Sequence, residues 1–307
     1  MSKLKKVAYI SDSIYLKHNS GVLHPESPER LRAIEKAIKP LEKSLILLSP
    51  LCVPTSIIKL VHSQFHIDNI YQSSMECRDI DGDTLCSKES YSVAIEAIGA
   101  GIRGIDGAIR GEFDRAFCAV RPPGHHATPN QAMGFCLFNN CAITARYAQF
   151  SGYERVMIVD FDVHHGNGTQ DIFYHDDSVF YFSSHQALCY PHTGAESEIG
   201  ELDGVGYTSN HLLMPNSGDE EILDIYRNEL PKAYDFFQPD IVIISAGYDL
   251  HESDPLAMLD ITTDGIREIV RLILDQADIP AIFLLEGGYE PTALGENVKA
   301  TLEEMMR

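Results

Sequence analysis

Seven short apolar runs rich in β-branched residues, at 7–11, 45–48, 116–120, 156–162, 179–184, 240–246 and 281–285, constrain the fold of this chain more than any other feature. Such runs show little polar alternation, so they suit strands buried on both faces, as in a parallel sheet covered by helices on either side. Helix-like stretches lie between them. The segment 27–38 follows a Pro-Glu-Ser-Pro start, 90–109 carries small residues suited to close packing, 218–237 is amphipathic, and 263–276 closes the series. This alternation predicts an open, mostly parallel, doubly wound α/β sheet flanked by helices. With no internal repeat, low-complexity tract or linker, one domain over 1–307 with long functional loops is the economical expectation.

The chemically loaded residues fall just after these runs, at 121–127, 162–169, 249–255 and 286–289. Ligands of open α/β sheets bind outside the carboxyl ends of the strands, so these four segments are expected to converge on one site. In Asp160-Phe161-Asp162-Val163-His164, the side chains of Asp162 and His164 point to one side of an extended chain while Val163 faces the core. A third carboxylate is sought in the segment 245–256. Two carboxylates and an imidazole leave positions open for water and substrate, which marks a catalytic rather than a structural zinc. The same donors suit Fe(II), Mn(II) or Co(II). Taken alone, Asp-x-His is more often a strand-end cap and turn former.

His125 and His126 follow the rigid turn Pro122-Pro123-Gly124. Asp160 is placed to accept a proton from one imidazole and Asn167 to hydrogen-bond the other. A carboxylate raises a histidine's pKa and fixes its tautomer, whereas a neutral amide leaves it nearer the working pH, so the pair can divide roles. Tyr289, after Gly287-Gly288, can swing its phenol inward and donate to a developing oxyanion; the plainer expectation is packing.

Composition narrows the partners. With 24 basic against 45 acidic residues the net charge is −21, which repels a phosphate backbone and excludes nucleic acid while attracting cationic peptides or polyamines. The seven cysteines are scattered, with no Cys-x-x-Cys pair, against a disulfide framework or thiolate zinc site. No apolar run has the length of a membrane span or signal peptide, so a cytoplasmic protein is expected. The sequence sets no oligomeric state.

Six segments in order resemble the zinc-dependent histone deacetylase and acetylpolyamine amidohydrolase superfamily, specifically its bacterial members similar to class II deacetylases. They are His24-Pro25-Glu26-Ser27-Pro28-Glu29-Arg30, 121–127, Gly134-Phe135-Cys136-Leu137-Phe138-Asn139-Asn140, 160–170, Tyr190-Pro191 and 285–289. The resemblance implies an arginase-like fold in which Asp162, His164 and Asp254 bind Zn(II). His126 would be the general base and then the acid, His125 with Asp160 an electrostatic partner, and Tyr289 the oxyanion donor. It further implies a tunnel walled by Gly134, Phe135 and Tyr190, a rim aspartate at Asp83, and Arg30 on an acetate exit path. A structural K+ or Na+ would involve Asp160, Asp162, His164, Ser183 and Ser184.

Two departures stand out. His192 occupies a position where glycine is usual. Met258 and Ile261 are apolar where a polyamine-selective enzyme would want a carboxylate. The expected activity is therefore removal of acetyl or another short acyl group from lysine in peptides or proteins, ahead of acetylpolyamine deacetylation. A catalytically idle acyl-lysine binding module and a binuclear manganese ureohydrolase are remote alternatives.

Overall fold

The computed structural model describes residues 4–21 and 23–307. Its centre is a single eight-stranded sheet of β1 (Val7–Ile10), β2 (Ile46–Leu48), β3 (Arg115–Cys118), β4 (Val156–Asp160), β5 (Val179–Gln186), β6 (Thr208–Leu213), β7 (Ile241–Ala246) and β8 (Ala281–Leu285). Every pairing is parallel, in the order β2-β1-β3-β8-β7-β4-β5-β6. Around it lie α1 (Glu29–Ile38), α2 (Gln64–Glu76), α3 (Ser90–Ile109), α4 (Asn140–Phe150), α5 (Asn167–Phe173), α6 (Asp219–Asn228), α7 (Leu230–Phe237), α8 (Thr263–Asp275) and α9 (Pro291–Met305).

Each apolar run becomes a strand, and β4, β5, β7 and β8 are buried along their whole length. The strand without an apolar run is β6, Thr208-Ser209-Asn210-His211-Leu212-Leu213. It is an edge strand with partly solvated residues, so polar side chains are tolerated there. The stretch 218–237, expected as one helix, is two: Pro231 brings no N–H to the ladder, and the helix breaks at Glu229 before restarting as α7. The small residues of α3 serve contact. A Cβ at Gly101 would collide with the Thr144 hydroxyl of α4, and one at Gly104 would meet Ile282 of β8.

The strands β3, β8, β7 and β4 are consecutive in the sheet. The four loops leaving their carboxyl ends therefore meet over the middle of one edge, as expected for ligand binding in open α/β sheets.

Candidate metal and proton-transfer site

Past the end of β4 the chain stitches itself together through its acidic side chains. Asp160 Oδ1 accepts from the Asp162 N–H at 3.1 Å, and Asp162 Oδ1 from the His164 N–H at 2.9 Å. Across the sheet, Asp162 Oδ2 accepts from the Gly287 N–H at 2.8 Å, and Asp249 Oδ1 from the Val163 N–H at 3.0 Å. His164 Nδ1 is left 3.2 Å from Asp162 Oδ1 and 3.1 Å from Asp249 Oδ2. One donor atom from each of Asp162, His164 and Asp249 lies within 4.8 Å of the other two.

The third member of this tight group is thus Asp249, five residues before Asp254. Asp254 lies outside it, its carboxylate accepting from the Tyr289 N–H at 2.6 Å and the Leu256 N–H at 3.0 Å. It remains electrostatically joined to the group: burial first, and Asp249 second, push its acid up to about 7.

The donors suit a cation. Asp160, Asp162, Asp249, Asp254 and Glu286 are all buried, and among the described residues no lysine or arginine pairs with any of them. Only His125 and His164 offset that charge, and buried carboxylates without counter-charge are costly. Burial and then Asp162 raise Asp249 above the usual carboxylate range, the response of an acid short of positive partners. Glycine backbones close in on these oxygens: a Cβ at Gly247 would strike Asp162, and one at Gly287 would strike Asp249. A divalent ion with oxygen and imidazole ligands fits this cradle.

Beside it the two adjacent histidines stand with ring centroids 4.1 Å apart. His125 Nδ1 donates to Asp160 Oδ2 at 3.1 Å, an oxygen that also accepts from the Tyr181 hydroxyl at 3.1 Å. Burial works against protonating His125, but the carboxylates of Asp162 and Asp160 outweigh it and lift its pKa to about 10. His126 Nδ1 donates to Asn167 Oδ1 at 2.8 Å. Burial, reinforced by the positive neighbours His125 and His164, drives its pKa well below the ordinary value. A carboxylate thus stands beside His125 and a neutral amide beside His126. With Nδ1–H engaged, His126 Nε2 carries the free lone pair.

His126 and His164 line a cavity of about 210 Å³ together with Asp83, Gly134, Phe135, Tyr190, Leu256 and Tyr289. The Phe135 ring stands edge-on to Tyr289 at 5.7 Å, and Tyr190 edge-on to His126 at 5.1 Å. Gly134 has φ +54°, and a Cβ there would strike the His126 ring. Burial, then Asp249, raises the Tyr289 phenol, which stays protonated as a donor. Arg30 lies behind it. Its guanidinium carbon is 5.0 Å from the Tyr289 ring centroid, with Nε donating to Gly288 O at 2.6 Å and Nη2 to Glu286 O at 2.5 Å. Ser183, opposite Asp160 in the β4–β5 register, directs its hydroxyl to His185 Nδ1 at 2.9 Å, and Ser184 to the Tyr226 hydroxyl at 2.9 Å. Their hydroxyls are thus engaged elsewhere, and both residues lie within β5, which is flanked by β4 and β6. His192, at φ +66°, lines a separate cavity on the other side of Tyr190.

Sequence reasoning missed several participants. Asp249 lies in the same segment, 245–256, as Asp254, and nothing in the sequence singles it out. Leu256, a cavity wall, follows Asp254 by two. Glu26 sits in the first motif, and the Arg121 guanidinium of the second grips its carboxylate at 2.5 and 2.8 Å, joining the two segments. Tyr181 of β5 carried no signal beyond being one more buried aromatic.

A family model described as the histone deacetylase domain matches residues 24–305. Among similar proteins are a probable deacetylase of Archaeoglobus fulgidus, 37% identical over 284 residues covering 90% of this chain and 79% of that protein, and a histone deacetylase-like amidohydrolase of Pseudomonas aeruginosa, 33% identical over 292 residues covering 92% and 77%. A crystal structure of the HDA15 HD domain matches with TM-score 0.94 and 32% identity, over 98% of this chain and 90% of that one. By sequence model, relatives and fold alike, the chain belongs to the histone deacetylase domain family, with an arginase/deacetylase-like α/β architecture.

Proposed function

We propose that the protein is a metal-dependent amidohydrolase that removes acetyl, or another short acyl group, from the ε-amine of lysine in peptides or proteins. The observation that carries this reading is the cavity itself: Phe135, Tyr190 and Leu256 wall it with apolar surface, and His126, His164 and Tyr289 line it as well. A neutral methylene chain suits such walls, and an amide inserted between them meets a base, a metal-ligand histidine and a phenol.

Asp162, His164 and Asp254 would hold the ion, Zn(II) by family resemblance, with Asp249 bracing His164. When bound it polarises the amide carbonyl and acidifies a water. His126 Nε2 takes the proton from the attacking water as the C–O bond forms, then delivers it to the amine nitrogen as the C–N bond breaks, releasing a carboxylate and the free amine. Asn167 fixes the tautomer that makes Nε2 the base. His125, held by Asp160, keeps positive charge beside the developing oxyanion, and the Tyr289 hydroxyl donates to that oxygen. A monovalent cation near Asp160, Asp162, His164, Ser183 and Ser184 belongs to the same reading, as does Arg30 behind Tyr289 on the product side. Among the described residues no helix is long and apolar enough to cross a membrane; a cytoplasmic setting belongs to the same reading.

Asp83 with Asp81 at the mouth favours a second reading, an acetylated polyamine whose distant ammonium these carboxylates would receive. The test is turnover of an acetyl-lysine peptide beside N-acetylputrescine and N-acetylspermidine, with metal-loaded and chelator-treated protein. Chelator-sensitive peptide hydrolysis is expected. Polyamine turnover alone would install the second reading, and no turnover of either with zinc bound would sink both.

A further inference from the structure

The turn 286–289 touches every functional segment of the floor. Glu286 Oε2 accepts from the main-chain N–H of Gly124 at 2.6 Å and of His125 at 3.1 Å, gripping the loop that carries both histidines. One residue on, Gly287 N–H holds Asp162; two further, Tyr289 N–H holds Asp254. The carbonyls of Glu286 and Gly288 are in turn tied to Arg30. The other carboxylate oxygen, Oε1, receives the Ser245 hydroxyl at 3.5 Å and the Cys141 thiol at 3.7 Å. Glu286 is fully buried, has no arginine or lysine partner among the described residues, and touches neither the cavity nor the metal-ligand atoms.

A buried carboxylate spent on two backbone amides is an expensive way to hold a loop unless the placement of that loop matters. We propose that Glu286 is a positioning residue for proton transfer: it sets the main chain at Gly124 and His125, and so the reach of His126 Nε2 into the cavity relative to Asp162. The inference rests on the deacylase reading, because only there does the position of His126 have a rate attached. Displacing a reacting group by about 1 Å can cost about 10²-fold in rate without changing what binds.

Reach and charge separate in two conservative variants. Glu286→Gln keeps an oxygen at the length needed by the two amides and loses the charge; Glu286→Asp keeps the charge and withdraws the oxygen by one methylene. For peptide hydrolysis we expect E286Q to hold kcat within about threefold of wild type. E286D should fall about 30- to 100-fold, with KM within twofold and bound zinc at the wild-type stoichiometry. Hydrogen exchange gives a readout independent of activity: segment 121–127 should lose amide protection in E286D and keep it in E286Q. The opposite order, E286Q impaired and E286D near normal, would mean that the charge and not the placement matters and would overturn the proposal. So would unchanged exchange in both. Should wild type itself show no chelator-sensitive hydrolysis, the deacylase reading fails, while the exchange comparison still decides whether Glu286 holds the loop.

Discussion

At the floor of the cavity the three metal-side carboxylates are gripped by main-chain amides, each from a different strand end: Asp162 by Gly287, Asp249 by Val163, and Asp254 by Tyr289. At the rim, Asp83 sits on a loop whose bonds are mostly its own. The amides of Asp83 and Thr84 go to Asp81 at 3.1 and 2.6 Å, and the links from elsewhere are His24 to the Asp83 carbonyl and the Phe135 N–H to the Thr84 hydroxyl. The sheet fixes the floor and a loop fixes the rim. Substitutions at the floor should therefore act close to all-or-none, and substitutions at the rim by degrees.

The largest effect is expected from Asp162→Ala, which removes one ligand and strips the His164 and Gly287 amides of their acceptor. Metal analysis after dialysis should find the site depleted, with turnover at background. His126→Ala should lose turnover equally while retaining metal, because its ring contributes no atom to the converging donor group. Near-normal kcat in His126→Ala would remove the proton-transfer role. Comparing metal content in Asp249→Asn and Asp254→Asn sharpens the floor itself. Loss confined to the Asp254 variant supports Asp162–His164–Asp254 as the ligand set, whereas loss confined to the Asp249 variant favours the tighter geometric group.

Beneath the floor lies a buried ionic network in which Glu26 meets Arg121 and, at 3.3 Å, Arg30. Glu26→Ala leaves Arg121 buried without its carboxylate and should cost about 3–5 kcal/mol of unfolding free energy, read as a lower denaturant midpoint. Burial alone would raise the Glu26 acid, but Arg121, His18 and Arg30 outweigh it and depress the pKa from 4.5 to about 2. A depressed carboxylate lends stability that is complete above its unfolded pKa and is lost as pH falls through the folded one. Wild type should lose this contribution between about pH 4.5 and 2, and the variant should lack that part of the acid dependence.

Tyr289→Phe comes next. Its amide still holds Asp254, so folding and metal content should survive, while kcat falls by about 10²–10³, the cost of removing one oxyanion donor. Unchanged kcat would make Tyr289 a packing residue.

The contrast between floor and rim also explains what could be read from sequence. Strands were legible because burial on both faces leaves unbroken apolar runs, and β6 escaped because an edge strand may keep Ser209, Asn210 and His211. The two histidines and the partners Asp160 and Asn167 were legible because each lies at or beyond a strand end, where register brings neighbouring loops together, whereas the pairing of His125 with Asp160 came from the family resemblance. Asp249 and Asp254 share one segment, and only the loop's path decides which carboxylate approaches His164. Period and propensity do not carry that path. The clamp of Glu286 on Gly124 spans 162 residues and depends on β3 and β8 being neighbours, which follows from the tertiary arrangement alone.

The smallest effect should come from the rim. Asp83 lines the mouth of the cavity with no ion-pair partner among the described residues, and burial together with its neighbour Asp81 already raises its pKa. If it receives the backbone amides of a bound peptide, Asp83→Ala loses about 1–1.5 kcal/mol of binding, a roughly tenfold higher KM with kcat unchanged, because the floor is untouched. The same variant should leave N-acetylputrescine kinetics where they were, since that substrate has no peptide backbone to grip. A larger KM rise for the polyamine than for the peptide would show Asp83 serving an ammonium instead, and would move the specificity of the site to the second reading while leaving the chemistry of the floor as it is.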